Sequence, residues 1–129
     1  MELLIHVGTN KTGSSFLQTV LTSNRKQLEN QRVYVPASAW DAEMLVGKIS
    51  PGNGHQLATL ISRQDKKGLC EYLKKLYTEA KKRKCEKVVL SNEILIRILS
   101  YENELNLLVN VAKETGFQNI SWFYGKPCG

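Results

Sequence analysis

Short apolar runs alternate along this chain with longer stretches in which apolar residues recur at helical spacing. The runs predict four strands, which include residues 5–7, 32–36, 87–91 and 119–124. The longer stretches predict helices at residues 14–31, 55–62, 66–84 and 102–115, with one short helix after Asn92. Because strands and helices alternate, the order is typical of a three-layer α/β/α fold with a central parallel sheet and right-handed crossovers.

Two of the predicted helices differ in how their apolar residues are distributed. In the helix at 66–84, Leu69 and Leu73 share one face while the lysines lie mostly elsewhere, which indicates one buried and one solvated side. The helix at 102–115 carries apolar residues on more than one side, so we expect it to be deeply buried. Gly116 is placed to end this helix.

The composition limits the class of protein. With 129 residues, 42% of them hydrophobic and 23% charged, the chain falls in the range of one globular domain, taken to span residues 1–129. The N-terminus lacks the features of a signal peptide, and no run approaches the ~18 apolar residues of a membrane span. Three cysteines without C-x-x-C spacing predict reduced thiols, no metal site and a cytoplasmic protein.

The charge is unevenly distributed. The formal net charge of +6 favours anionic partners, but much of it falls at residues 66–87. This stretch has few aromatic residues for base stacking and no recognised nucleic-acid-binding motif. We therefore interpret it as the solvated face of an amphipathic helix, with neither nucleic acid nor membrane as a partner.

The most informative segment is a glycine-framed loop between the first strand and the first helix. Gly8 and Gly13 have the spacing of the phosphate-binding G-x-x-x-x-G-K-[ST] loop, but Ser14 stands at the lysine position and Lys11 lies inside the loop. Glycines let the backbone approach an anion closely, and the N–H groups of the following helix point at it. The segment therefore predicts a phosphate site that is not tuned for an ordinary nucleoside triphosphate.

Residues 10–17, NKTGSSFL, resemble the 5′-phosphosulfate loop of the sulfotransferases, commonly written P-K-[ST]-G-[ST]-[ST]-[WF]-L. With residues 5–9, IHVGT, the start is similar to bacterial members of that family. Two weaker similarities follow in the expected order, GNGHQLA at 52–58 and VVLSNE at 88–93. The resemblance covers nearly the whole chain, but only the N-terminal half of a usual family member.

The resemblance implies transfer of a sulfuryl group from 3′-phosphoadenosine 5′-phosphosulfate to a hydroxyl or amine. Lys11 would stabilise charge on the bridging oxygen as the nucleotide leaves. Backbone N–H groups and serine hydroxyls would hold the 5′-phosphate without a metal. The residues expected to bind this cosubstrate are Asn10, Lys11, Thr12, Gly13, Ser14, Ser15, Phe16 and Ser91. The competing interpretations are a phosphate loop for another ligand and a glycine turn with a solvent-facing lysine.

Two residues are candidates for the base that takes the acceptor proton. His55 follows a Gly-Asn-Gly turn, and an ordinary histidine pKa of about 6.5 suits a base near neutrality. Glu93 follows a parallel strand at the edge where ligands bind in open α/β sheets, but its pKa would need raising. We prefer His55. The alternative roles are a surface histidine at a helix start and a glutamate that complements a helix dipole, and His6 is expected to be a packed core histidine.

The chain also departs from the family pattern. The arginine and serine that bind the 3′-phosphate after the last strand are missing, and Lys126 is the only substitute. Two interpretations therefore remain open. The chain is either a shortened sulfotransferase, which self-association into a homo-oligomer could complete, or a catalytically impaired nucleotide-binding remnant of that family. A P-loop kinase or NTPase is disfavoured by Ser14. The acceptor, a small molecule or carbohydrate, would contact residues 37–54. Trp40 and Tyr34 could stack on it, but a packing role in the core or at the surface is favoured for each.

Overall fold

A computed structural model describes residues 1–6, 20–37, 53–92 and 95–123. Its strands are β1 (Glu2–His6), β2 (Val33–Tyr34), β3 (Lys87–Ser91) and β4 (Asn119–Phe123). Its helices are α1 (Arg25–Asn30), α2 (His55–Ser62), α3 (Lys66–Lys82), α4 (Leu95–Ile98) and α5 (Glu102–Thr115). The predicted bounds of β3, α2 and α5 are confirmed.

The strands form one sheet in the order β2-β3-β1-β4, and every neighbouring pair is parallel. β1 lies between β3 and β4, with Leu3 opposite Val88 on one side and Ile120 on the other. The predicted α/β class with a parallel sheet is therefore confirmed.

The core lies between the sheet and helices α2–α5. Side chains alternate across a strand, so Leu3 and Ile5 of β1 share a face with Leu90 of β3, and all three are fully buried. They belong to one apolar cluster with residues of α2, α3, α4 and α5. Burying one such leucine contributes about 1.5–3 kcal/mol, so this cluster is what holds the four helices to one face of the sheet.

The order in which the strands are connected indicates where this sheet could bind a ligand. The chain passes from β1 across β3 to reach β2, and it later passes from β3 across β1 to reach β4, in the opposite direction. Right-handed crossovers in opposite directions leave on opposite faces of a sheet. The carboxyl ends of β1 and β3 therefore border a crevice of the kind in which open α/β sheets bind ligands.

The first predicted helix and the second predicted strand differ from expectation. The described part of the helix is interrupted at Asn24, whose side-chain amide donates to the carbonyl of Val20 at 2.8 Å, and α1 begins at the next residue. β2 contains only Val33 and Tyr34. Arg32 cannot extend it because its φ is 68°, outside the extended region.

The deep burial expected for α5 is wrong. Only Leu108, Val111 and Ala112 of this helix are buried, and its outward positions Asn106 and Asn110 are exposed. The helix packs against α2, α3 and β4 through these buried residues. It does end as expected, because Gly116 has a φ of 126°.

The expectation of an amphipathic helix at 66–84 is confirmed, although the helix is shorter than predicted. α3 buries Leu69, Leu73, Leu76 and Ala80, and its six lysines are exposed, as expected of an amphipathic helix. It ends two residues earlier than predicted. Cys70 and Cys85 are free thiols. Within the described ranges, no helix combines the length and the apolar character that crossing a bilayer requires.

Candidate functional site

The predicted site residues divide between two parts of the chain. His55 and Ser91 belong to the described residues. The others lie outside them, so the structure does not test their positions: Asn10, Lys11, Thr12, Gly13, Ser14, Ser15, Phe16 and Glu93. The described strands end directly before both of these sets of residues. β1 ends at His6, directly before the glycine-framed loop, and β3 ends at Ser91.

A buried pair of side chains joins these two strand ends. His6 and Ser91 are opposite each other in the register of β1 and β3, and His6 Nδ1 lies 2.8 Å from Ser91 Oγ in a hydrogen bond. Both residues are buried, which confirms the expectation of a packed histidine at position 6. Burial lowers the pKa of His6 to about 4, so the imidazole beside Ser91 is neutral at neutral pH.

Asn53 continues the sheet where β2 stops. Its Oδ1 accepts a hydrogen bond from the backbone N–H of Ser91 at 2.7 Å, and its Nδ2 donates to the carbonyl of Val89 at 3.2 Å. The same Nδ2 also lies 3.1 Å from the carbonyl of Pro36. The buried Asn53 amide therefore satisfies backbone groups of β3 that β2, which ends at Tyr34, is too short to reach.

Gly54 brings the start of α2 against the carboxyl end of β3. Its N–H donates to the carbonyl of Ser91 at 2.8 Å. A Cβ at this position would stand 3.0 Å from that carbonyl oxygen and 3.3 Å from the Cβ of Asn92, so the approach favours glycine. α2 begins at the next residue, His55, which is exposed. The structure therefore brings the start of α2, with His55, to the strand end that carries Ser91.

A cavity of about 720 Å³ lies beside the start of α2. It is bounded by the end of β2, the start of α2 and one flank of α3. His55 and Asn53 both line it. In size it falls within the range of pockets that hold small-molecule ligands, about 300–1,000 Å³. Across the described part of the chain, no group of three or more histidine, cysteine or acidic side chains is placed to hold a metal ion.

Sequence reasoning did not single out Asn53. The available signal was its position in the Gly-Asn-Gly turn directly before a helix, which predicted a turn but not its partners. Those partners lie 17 and 38 residues away, at Pro36 and Ser91. The pairing of His6 with Ser91, 85 residues apart, was missed for the same reason.

Acidification is expected to destabilise the protein through His6. An unfolded histidine takes up a proton below pH ~6.5, whereas His6 in the fold does so only near pH 4. Between these pH values the unfolded chain binds more protons than the folded one. Proton binding therefore favours the unfolded state, and the free energy of unfolding falls by about 2 kcal/mol as the pH is lowered. Urea unfolding at about pH 7 and pH 4.5 measures this loss, and His6→Gln should reduce it. An NMR titration in which the His6 ring becomes protonated near pH 6.5 would contradict the prediction.

Comparisons with protein-family models, with curated proteins and with solved structures found no match for this chain.

Proposed function

We propose that the chain is a sulfotransferase that moves a sulfuryl group from 3′-phosphoadenosine 5′-phosphosulfate to a hydroxyl or amine. The observation that carries the proposal is the meeting of three distant segments. The first similarity, at 10–17 with the preceding residues 5–9, includes His6. The similarity at 52–58 includes Gly54, and the one at 88–93 includes Ser91. Those three residues meet at one edge of the sheet, through the His6–Ser91 contact of 2.8 Å and the Gly54–Ser91 bond of 2.8 Å.

The chemistry of this edge supports a phosphosulfate ligand. β1 ends at His6, at the carboxyl edge that it shares with β3, and the glycine-framed sequence that follows would offer helix N–H groups to an anion there. The Ser91 hydroxyl lies at the same edge, and neutral His6 holds it without adding a charge. In the proposed fold, a three-layer sulfotransferase domain, Lys11 would neutralise the bridging oxygen as the nucleotide leaves.

In the proposed reaction the acceptor oxygen or nitrogen attacks sulfur as the bond from sulfur to the 5′-phosphate oxygen breaks. The proton of the acceptor passes to a base, and adenosine 3′,5′-bisphosphate leaves. His55 and Glu93 both follow segments that meet at Ser91, so both stay candidates for the base. The acceptor is a small molecule or carbohydrate, and no metal takes part in the proposed step.

Adenosine 3′,5′-bisphosphate without magnesium is expected to raise the melting temperature more than Mg-ATP does. A ligand that binds only the native state stabilises it by about 2.7 kcal/mol at a concentration one hundred times its Kd. Thermal unfolding followed by circular dichroism measures the ranking. A larger shift with Mg-ATP would contradict a phosphosulfate site and favour a kinase or NTPase.

A further inference from the structure

The cavity beside His55 is lined in part by tyrosine rings and apolar side chains. Pro36, which follows β2, is buried, and the half-buried Tyr34 and Tyr72 line the cavity with it. Burial raises the pKa of Tyr72, and the nearby Tyr34 adds to this, so the phenol stays a neutral hydrogen-bond donor. Tyrosine rings with hydroxyls suit a ligand that has an apolar face and polar edges.

The lining is close to electrically neutral, unlike the chain as a whole. Glu79 Oε1 is 2.9 Å from Arg83 Nε, so its charge is compensated. Glu71 and Lys75 line the exposed side of the cavity with opposite charges, one helical turn apart on α3. With a net charge of +6 on the chain, this pocket offers no excess of positive charge to an anion. An uncharged ligand fits it best.

We propose that this cavity is the acceptor site and that it takes an uncharged ring carrying hydroxyl groups. The acceptor role rests on the proposed function, whereas the pocket and its chemistry do not. His55 lines the cavity, and the Gly54–Ser91 bond holds the start of its helix against the strand end of the proposed nucleotide site. A ring hydroxyl in the cavity would lie near His55, one of the two candidate bases. Its oxygen would attack sulfur as the bond from sulfur to the bisphosphate breaks, and its proton would pass to the base.

The test measures binding of two uncharged probes, 2-naphthol for a phenol and methyl β-glucoside for a sugar, to the full chain with adenosine 3′,5′-bisphosphate present. Gln56→Trp, which places a large side chain at the exposed side of the cavity, should weaken binding more than tenfold. Tyr72→Phe, which removes one hydrogen-bond donor, should weaken it about fivefold. The matched controls are Ser62→Trp, exposed on the same helix as Gln56, and Tyr77→Phe, which packs on Phe117 outside the cavity. Neither control should change the Kd.

The two probes distinguish a phenol from a sugar, because the probe that binds more tightly identifies the class of ring that the cavity prefers. Binding of neither probe, or equal binding by wild type and a folded Gln56→Trp variant, overturns the cavity proposal. Tighter binding of glucose 6-phosphate than of methyl β-glucoside overturns the uncharged class. If the bisphosphate still stabilises the protein in these cases, the proposed function stands. If the bisphosphate fails to bind, the proposed function falls, and the acceptor role falls with it.

Discussion

Replacing Lys11 by alanine is expected to lower the rate of sulfuryl transfer by a factor of about 10²–10³, with little change in melting temperature. The reason is that removing one group that stabilises charge developing in a transition state has an effect of this size on kcat. In the proposed reaction, charge would build on the bridging oxygen as the bisphosphate leaves, and Lys11 is the lysine that the loop resemblance assigns to it. Transfer of labelled sulfate from the cosubstrate measures the rate.

Lys26→Ala is the matched control, because Lys26 is an exposed lysine of α1 and the same charge is removed there. This variant should transfer sulfate at the wild-type rate. Lys11→Arg should recover part of the activity, since arginine keeps the charge but differs in shape and hydration. Equal transfer by wild type and Lys11→Ala would show that the role assigned to Lys11 is wrong.

The parts of the fold that were predictable from sequence are those with local signals. β3 is a run of β-branched and apolar residues, and α5 has a helical period that stops at a glycine, so their bounds follow from nearby residues alone. Where the prediction differs, one residue overrides the pattern. The φ of Arg32 shortens β2, and the side chain of Asn24 interrupts the first helix. Neither effect alters the hydrophobic period.

The candidate site depends on information that no local pattern carries. His6 was expected to be buried, and it is, but its contact with Ser91 exists only because β3 is inserted between β1 and β2. A strand's neighbours are set by how the whole sheet assembles, and parallel neighbours are distant in sequence. The similarity of three short segments to one family placed Ser91 among the candidate site residues, but it gave no contact between Ser91 and His6.

Replacing Asn53 by alanine is expected to lower the free energy of unfolding by about 3 kcal/mol, since each of its three hydrogen bonds contributes about 1 kcal/mol. The variant would leave the N–H of Ser91 and the carbonyl of Val89 without the partner that β2 is too short to supply. Urea unfolding measures the change as a lower midpoint at an unchanged m-value. Asn106→Ala is the control, because Asn106 is exposed on α5 and alanine favours a helix.

A loss no larger than that of Asn106→Ala would mean that water replaces the amide and that Asn53 does not hold the site together. Asn53→Asp separates the two functions of the amide. It keeps an oxygen that accepts from the Ser91 N–H but sets a second oxygen against the carbonyls of Pro36 and Val89. If the amide serves mainly to bridge β3 to the segment after β2, aspartate should be at least as destabilising as alanine. Binding of adenosine 3′,5′-bisphosphate should weaken in the same order, because the position of Ser91 and the start of α2 depend on the same amide.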